Sequence, residues 1–289
     1  MTTAASTPIL HRLAAFADHP DGGNPAGVWV GTSLPTAQRM QEIAAEVGYS
    51  ETAFIAPATG NVRRVRYFSP LAEVPFCGHA TIASGVVLGR SNGSGRYLLH
   101  TNVGEVTVQV DCEDGHWSAR LQSVPTQQRA VPKALLDEAL AALDWRGQEL
   151  DPSLPPVLAF AGAWHLVLAV AERSRLERLH YDFDRLKTLM LNHDLTTLQL
   201  VWRESASRFH SRNPFPVGGV VEDPATGAAA AALGGYLRDA GLLPAPAAFE
   251  ILQGEAIGRP SRLHVEVPVH GGIIVSGNAV DLPDPAGSV

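Results

Sequence analysis

The sequence is poor in charged residues of either sign, and its basic residues form no cluster. Only 18% of the 289 residues are charged, and the formal net charge is −7. Nucleic-acid-binding proteins place lysine and arginine side chains along the phosphate backbone, usually as a basic patch or stripe. No run of lysine or arginine forms such a stripe here, so the sequence argues against a nucleic-acid partner.

Cysteine residues and long apolar runs are also scarce. Cys77 and Cys112 are the only two cysteines, which is too few for a disulfide framework and fits a reducing compartment. No apolar run reaches the ~18–20 residues that a membrane-spanning helix needs. The first eight residues are polar and lack the charged and apolar regions of a signal peptide. We therefore expect a cytoplasmic protein without a membrane partner.

Several motifs that would indicate a cofactor or a nucleophile are missing. The chain has no Gly-x-Gly-x-x-Gly or Walker loop for a nucleotide and no Gly-x-Ser-x-Gly elbow. Its 11 histidines are scattered without the spacing of metal ligands, so the sequence predicts no metal site. The sequence therefore gives no signal for a bound nucleotide, for a metal ion or for a serine nucleophile.

The most informative segment that is present lies at residues 73–81, EVPFCGHAT, and continues into IASGVVL at 82–88. Pro75 and Gly78 predict a turn, and the almost entirely apolar residues after it predict a helix that is buried on all sides. The first turn of such a helix has unpaired backbone N–H groups, which attract anions. Cys77 and His79 stand at this electropositive end of the helix.

A second segment repeats this pattern. The sequence EDPATGAA at 222–229 shares Glu-x-Pro-x-x-Gly-x-Ala with residues 73–80, at an offset of 149 residues, and also leads into an apolar helix. A repeat over half the chain predicts two similar domains. We place them at 1–125 and 126–289, with a boundary within 124–132 and a last strand that can cross back to the first domain. The two helix N-termini are expected to face a shared cleft.

The remaining pattern has more strands than helices, and each half has one helix too apolar for a surface. Strands alternate at 62–68 and 105–111, and the last two are predicted at 272–276 and 279–282. A curved sheet wrapped around a helix buries it best. The predicted fold class is therefore α/β (α+β), with two pseudo-symmetric domains, each a mostly antiparallel β-roll around a central helix.

The chain resembles a known family in a series of short motifs that span nearly its whole length. It is similar to the PhzF-like family of phenazine biosynthesis, within the broader fold of diaminopimelate epimerase and proline racemase. This resemblance implies two domains with an active site between them, a homodimer, and an isomerase that moves a proton on a small carboxylate without a cofactor. The matching motifs are GNPAGV (23–28), SETAF (50–54), EVPFCGHAT (73–81), EDPATG (222–227), QG (253–254), GRPS (258–261) and GNAV (277–280).

The resemblance also implies roles for individual residues. It identifies Glu51 as the group that moves the proton, with His79 and Asp223 as further catalytic residues. The family motif Thr-Gly-Ser is Thr226-Gly227-Ala228 here, so one hydroxyl group that can contact the substrate is missing. This difference puts the phenazine substrate in doubt more than the mechanism.

The assignment that the resemblance implies is consistent with what the chemistry requires. A double-bond shift needs one base that can return the proton as an acid, and a carboxyl group in a water-poor cleft suits this role. Glu51 is the candidate, and His79 would orient the substrate or relay a proton. Asp223 would either cap the second core helix or hydrogen-bond a substrate amine or hydroxyl. We predict substrate contacts from Asn24, Cys77, Gly78, Gly227 and Ala228, with backbone N–H groups holding a carboxylate.

Two alternatives remain open from the sequence. Racemases on this fold use two opposed thiols, and Cys77 stands where one of them would. Its counterpart is Thr226 in the register of the repeat, or Asp223 if the register slips by about one turn, and neither is a thiol. An epimerase that pairs Cys77 with Asp223 or Glu51 is therefore one alternative. A small-molecule-binding protein without catalytic activity is the other, motivated by Ala228.

Overall fold

The structure is a computed structural model that describes residues 7–283, and the chain folds into two compact units. The first unit contains the described residues up to Leu121 together with those from Ser276 onward. Before Gln122, the elements are β1 (Ile9–Ala15), β2 (Asn24–Val30), α1 (Ala37–Val47), β3 (Glu51–Pro57), β4 (Val62–Phe68), β5 (Glu73–Val74), α2 (Gly78–Asn92), β6 (Gly95–Thr101), β7 (Gly104–Glu113) and β8 (His116–Gln122).

The second unit spans residues 122–275. The chain continues with β9 (Gln127–Ala130), α3 (Lys133–Ala142), β10 (Val157–Phe160), β11 (Trp164–Val170), α4 (Arg173–Glu177), α5 (Phe183–Asn192), β12 (Leu195–Ser205), β13 (Arg208–Arg212), β14 (Pro214–Phe215), β15 (Val220–Glu222), α6 (Gly227–Asp239), β16 (Ala247–Gln253) and β17 (Ser261–Val267), and ends with β18 (Ile274–Asp281). None of the described helices combines the length and the apolar character needed to cross a membrane.

The first unit is a closed barrel of eight strands around α2. Its strand order is β1-β2-β3-β4-β6-β7-β8-β18, and β18 also pairs with β1, which completes the ring. Most of the neighbouring strands with a described register are antiparallel, but β2–β3 and β4–β6 are parallel. The predicted β-roll around a central helix is therefore a barrel in the first unit, because β18 returns from the C-terminal end of the chain to close it.

In the second unit the strand order is β9-β10-β11-β12-β13-β16-β17, and α6 packs against β9, β10, β11 and β17. The apolar side chains of α3, α4 and α5 cover the other face of this sheet, in a cluster that includes Leu140, Leu168, Leu186 and Leu200. Alternation along β11 and β12 therefore divides their side chains between an α6 layer and an outer helical layer.

The two units share one topology, which confirms the pseudo-symmetric fold predicted from the repeat. In the first unit the pairs β1–β2, β3–β4 and β6–β7 are antiparallel and alternate with the parallel pairs β2–β3 and β4–β6. In the second unit β10–β11, β12–β13 and β16–β17 are antiparallel and alternate with the parallel pairs β11–β12 and β13–β16. The chain between the last two parallel strands forms α2 in one unit and α6 in the other.

The central helices are buried as their composition predicts. Every residue from His79 to Gly89 in α2 is buried, and so is every residue from Ala229 to Leu237 in α6. Each fully buried aliphatic side chain contributes roughly 1.5–3 kcal/mol to the free energy of unfolding. Glycine residues allow the strands to approach, since a Cβ atom on Gly85 would lie 2.7 Å from the Cβ of Ala119.

One local prediction was wrong, and one strand was not predicted. Residues 124–132 contain β9, whose polar side chains gave no alternating pattern. The two short strands predicted at 272–276 and 279–282 are one continuous strand, β18, because Gly277 stays in the ladder. A Cβ atom at Gly277 would lie 2.4 Å from the Phe16 ring, so this glycine allows a close approach rather than a break.

The close contact between α2 and the strands can be tested at Gly85. Alanine is about 1 kcal/mol more favourable than glycine in a helix, but the added methyl group would meet two fully buried side chains, Ala119 at 2.7 Å and Val108 at 2.9 Å. We expect Gly85→Ala to lower the free energy of unfolding by about 1–2 kcal/mol, measured by urea denaturation.

Gly147→Ala is the control for this experiment. Gly147 is exposed, and nothing lies within 4 Å of a Cβ atom built there. We expect this variant to match the wild type. A Gly85→Ala protein that is as stable as the wild type would contradict the packing described for α2.

Candidate active site

The predicted catalytic residues of the first unit converge at the start of α2. Asn24 begins β2 and Glu51 begins β3, and these strands run parallel, so both residues lie at the same edge of the barrel. Alternation places Glu51 on the same face of β3 as Ala53, opposite Phe54, which packs against α1. The Glu51 side chain therefore points to the inside of the barrel, where α2 lies.

His79 is the centre of this group. Its Nδ1 atom lies 3.3 Å from Asn24 Nδ2, and its Nε2 atom lies 3.3 Å from Ser50 Oγ and 3.5 Å from Glu51 Oε2. Because the Asn24 amide nitrogen is a donor, Nδ1 is the acceptor in a neutral ring. The ring proton then sits on Nε2, where it faces the hydroxyl of Ser50 and the carboxylate of Glu51.

Cys77 completes the cluster. Its Sγ atom lies 3.5 Å from Glu51 Oε2 and 3.3 Å from His79 Nδ1. Cys77 and His79 are both 8% exposed, whereas the Glu51 side chain keeps 20% of its surface accessible. The arrangement therefore presents one reachable carboxylate that is held by a buried imidazole and a buried thiol.

The backbone at this point offers donors for an anion. Cys77 is the N-cap residue of α2 and makes no side-chain capping bond, and the first helical hydrogen bond runs from Thr81 N to Cys77 O. The N–H groups of Gly78, His79 and Ala80 therefore have no acceptor within the helix. Together with the helix dipole they favour a negatively charged group here.

A hydrogen-bond chain from β4 fixes the position of this helix end. Thr81 Oγ1 donates to Cys77 O at 2.7 Å, and Tyr67 Oη lies 2.7 Å from Thr81 Oγ1. Tyr67 is fully buried, and burial raises the pKa of its phenol well above the ordinary value, so the hydroxyl stays protonated and donates to Thr81. The contacts tie the N-cap residue to the barrel wall.

The glutamates of the repeated Glu-x-Pro turns have structural partners. Glu73 accepts two hydrogen bonds from Arg66, at 2.6 and 2.5 Å, and Glu222 is bound through both carboxylate oxygens by Arg212. The hydrogen bonds from Arg66 lower the pKa of Glu73 in the folded state. The ionised pair therefore stabilises the fold at neutral pH, and this stabilisation is lost as the pH falls through the folded-state pKa of Glu73. Arg66 lies on β4 and Arg212 on β13.

In the second unit, Asp223 joins a buried polar network with Thr226 and Gln253. Thr226 Oγ1 donates to Asp223 Oδ2 at 2.6 Å, and Gln253 Nε2 donates to Asp223 O at 2.7 Å and to Thr226 Oγ1 at 3.1 Å. Gln253 Oε1 in turn accepts from Thr226 N at 3.3 Å. The network fixes the turn that leads into α6.

The structure corrects one reading of Asp223 and decides the register of the repeat. The N-cap residue of α6 is Thr226, so Asp223 does not cap this helix. Its carboxylate instead accepts a hydrogen bond from the hydroxyl of Thr226. Cys77 holds the N-cap position of α2. Cys77 and Thr226 are therefore equivalent, the slipped register that pairs Cys77 with Asp223 is wrong, and the counterpart of the thiol is a hydroxyl.

Gly227 and Ala228 form the first turn of α6 and are partly buried. The accessible side of Ala228 is a methyl group, where a serine would present a hydroxyl. Sequence reasoning gave no role to Ser50 or Gln253, although both lie in the motifs that carried the family resemblance. Their positions next to Glu51 and Gly254 within those motifs could have indicated a role in the site. The sequence does not show, however, what a serine or glutamine side chain contacts.

Comparison with known proteins agrees with this fold. Residues 13–284 match the model of the PhzC-PhzF family, described as phenazine biosynthesis-like proteins. An isomerase of Deinococcus radiodurans is 34% identical, over 90% of this chain and 87% of that protein. The trans-2,3-dihydro-3-hydroxyanthranilate isomerase of Pseudomonas aeruginosa is 33% identical, over 93% of this chain and 96% of that protein.

Two solved structures show the same fold. The PhzF-family protein of Bacillus anthracis superposes with a TM-score of 0.85 at 23% identity, over 96% of this chain and 98% of the other. A probable proline racemase from Agrobacterium radiobacter gives a TM-score of 0.64 at 13% identity, over 98% and 94%. The chain belongs to the PhzC-PhzF family. The resemblance and the enzyme class predicted from the sequence, an isomerase, are confirmed.

The two Glu-x-Pro turns allow a matched comparison of their ion pairs. The side chains of Arg212 and Glu222 are 13% and 3% exposed, whereas those of Arg66 and Glu73 are 28% and 29% exposed. Loss of one partner of a buried pair costs about 3–5 kcal/mol, and loss of a more exposed pair about 1 kcal/mol or less. We expect Glu222→Gln to lower the midpoint of thermal unfolding far more than Glu73→Gln, measured by calorimetry at neutral pH. Equal shifts in the two variants would contradict this difference in burial.

Proposed function

We propose that the protein is a cofactor-independent isomerase in which Glu51 removes a proton from a small carboxylate substrate and returns it to another carbon. The observation that supports this proposal is the convergence of Glu51, His79 and Cys77 at the open end of α2. The Glu51 carboxylate is the accessible member of the group, and His79 and Cys77 hold it in place. General acid–base catalysis by such a group contributes typically ~10²–10⁴-fold to the rate.

The reaction needs only one proton and one shifted double bond. Glu51 takes a proton as a C–H bond breaks, and the electron pair moves the double bond along the substrate. The protonated Glu51, whose acid proton exchanges with solvent, then donates a proton to the distant carbon, which restores the carboxylate. His79 Nε2–H stabilises Glu51 as an anion, and the N–H groups at Gly78 bind the substrate carboxylate.

The proposed substrate class is a small cyclic or amino-bearing carboxylate. The Pseudomonas aeruginosa relative is named for trans-2,3-dihydro-3-hydroxyanthranilate, which has this chemistry and is therefore the first compound to test. Ala228 removes a hydroxyl that the family motif supplies, so a related compound with one polar contact fewer fits this chain better. Asn24, Asp223 and Gly227 complete the proposed substrate contacts. The cytoplasmic location and the homodimer implied by the resemblance are part of the same proposal.

An epimerase that uses Cys77 is the second candidate. The Sγ atom lies 3.3 Å from His79 Nδ1, which is an arrangement that can activate a thiol as an acid or base. In this case the thiol and Glu51 would act on one carbon instead of shifting a double bond. The thiol is more buried than Glu51, which favours the first candidate.

Replacement of the proposed base tests the mechanism directly. We expect Glu51→Gln to lower kcat at least ~10²-fold, because an amide cannot accept the proton. The measurement is NMR of trans-2,3-dihydro-3-hydroxyanthranilate, or of a related cyclic carboxylate that proves to be turned over, in heavy water with purified protein. Deuterium in the product at a new carbon indicates the proton shift.

Glu46→Gln, on the exposed side of α1, is the control and should turn over at the wild-type rate. A Glu51→Gln protein with a near-normal rate would exclude Glu51 as the base. Cys77→Ala separates the two candidates. The proton-shift mechanism predicts a smaller loss than in Glu51→Gln, whereas an epimerase predicts complete loss and exchange at a single carbon.

Restoration of the missing hydroxyl tests the substrate proposal. We expect Ala228→Ser to raise kcat/KM for trans-2,3-dihydro-3-hydroxyanthranilate by about tenfold, the value of one hydrogen bond of ~1.4 kcal/mol. Ala231→Ser, within the buried part of α6, is the control for a general effect of serine in this helix. No gain in Ala228→Ser would show that the hydroxyl does not decide substrate choice.

A further inference from the structure

Three different metal-ligand groups meet at the start of α2. The ligand atoms of Glu51, Cys77 and His79 all lie within 4.8 Å of one another. In particular, Cys77 Sγ lies 3.5 Å from Glu51 Oε2, His79 Nε2 lies 3.5 Å from the same oxygen, and Sγ lies 3.9 Å from Nε2. The three atoms therefore form a nearly equilateral triangle.

The dimensions of this triangle fit a tetrahedral zinc ion. Zinc binds thiolate sulfur at about 2.3 Å, imidazole nitrogen at about 2.0 Å and carboxylate oxygen at about 2.1 Å. At tetrahedral angles these bonds separate the ligand atoms by about 3.4–3.6 Å. The observed separations of 3.5, 3.5 and 3.9 Å differ from these by a few tenths of an ångström, which small side-chain rotations absorb.

The chemistry of the ligands also selects zinc. A thiolate, an imidazole and a carboxylate are a common donor set for a borderline-soft divalent ion, whereas Mg²⁺ and Ca²⁺ prefer oxygen ligands only. The thiolate and the carboxylate together neutralise the charge of the ion. The exposed Ser50 marks the side from which the ion enters, and a water molecule or substrate group can take the fourth position.

The surrounding residues suit a metal-bound histidine. A ligating histidine usually donates its other ring N–H to an acceptor, which fixes the ring orientation. Asn24 lies 3.3 Å from Nδ1 and is 2% exposed, so its side chain is held against the ring. When Nε2 binds the ion and Nδ1 carries the proton, rotation of the Asn24 amide presents its oxygen as the acceptor.

We propose that Glu51, Cys77 and His79 form a reversible Zn²⁺ site and that bound zinc inhibits the enzyme. Inhibition rests on the proposed function, because it follows from the use of Glu51 as both zinc ligand and base. A carboxylate that coordinates zinc cannot take a proton from the substrate. Metal binding itself does not depend on that function and can be measured without a substrate.

Spectroscopic titration with Co²⁺, which replaces Zn²⁺ in such sites, tests the binding. We expect one Co²⁺ ion per chain in the tag-free, chelator-treated full chain, with a thiolate-to-cobalt charge-transfer band and the intense visible bands of a tetrahedral ion. Added Zn²⁺ should remove these bands. Cys77→Ser should lack the charge-transfer band, and Cys112→Ser should keep it, because Cys112 is the other cysteine of the chain and is exposed. Absence of the band in the wild type, or its persistence in Cys77→Ser, would overturn the site.

Two further variants guard against a misfolded Cys77→Ser protein. Glu51→Gln and His79→Gln each remove one ligand, and we expect both to raise the Kd for Zn²⁺ at least about tenfold, with unchanged circular dichroism. Glu46→Gln is the matched control for Glu51→Gln and should keep the wild-type Kd. An unchanged Kd in both ligand variants would place the metal elsewhere.

The inhibition is measured separately by deuterium incorporation into the product. We expect turnover to fall over the same Zn²⁺ concentrations that displace Co²⁺ and to return when a chelator is added. Zinc binding without a fall in turnover would overturn the inhibitory role. If no tested carboxylate is turned over with or without zinc, the proposed function fails, while the Co²⁺ titration still decides the metal site.

Discussion

The structure depends on two helices that have no polar side to expose. α2 is buried from His79 to Gly89 and α6 from Ala229 to Leu237, so each must be covered by strands around its circumference. In the first unit this requirement is met by a closed barrel, which leaves no strand edge unpaired around the helix. One parallel pair in each unit follows, because each central helix is also part of the connection between two parallel strands, β4–β6 or β13–β16.

This burial also decides where chemistry can occur. The body of α2 is enclosed, so its accessible polar groups lie at the two ends, and the N-terminal end carries the backbone N–H groups that have no acceptor within the helix. The parallel strands β2 and β3 begin at the same edge, which brings Asn24 and Glu51 to His79 and Cys77. The electropositive helix end, the carboxylate and the imidazole are therefore placed together by one packing constraint rather than by separate features.

The sequence predicted the local features well and the distant pairings poorly. Strand β4 has the predicted ends, since alternation is a property of neighbouring residues. The sequence allowed a last strand that crosses back to the first domain, but it did not predict the pairing of β18 with β1, because a hydrophobic pattern shows which face of a strand is buried but not which strand it pairs with. The Glu51, Cys77 and His79 cluster followed from family motifs, but its contacts with Ser50 required three-dimensional structure.

The repeat has kept one topology while its two helix entrances have diverged in chemistry. In the first unit the N-cap residue is Cys77, which lies beside Glu51 and His79. All three side chains are of types that can take up or release a proton. In the second unit the N-cap residue is Thr226, and a neutral glutamine, Gln253, ties its hydroxyl and backbone to Asp223. A network of neutral amide and hydroxyl groups orders a turn but transfers protons poorly at neutral pH. The proposed proton transfer is therefore assigned to the first unit, whereas the residues around Thr226 form an ordered turn with one carboxylate.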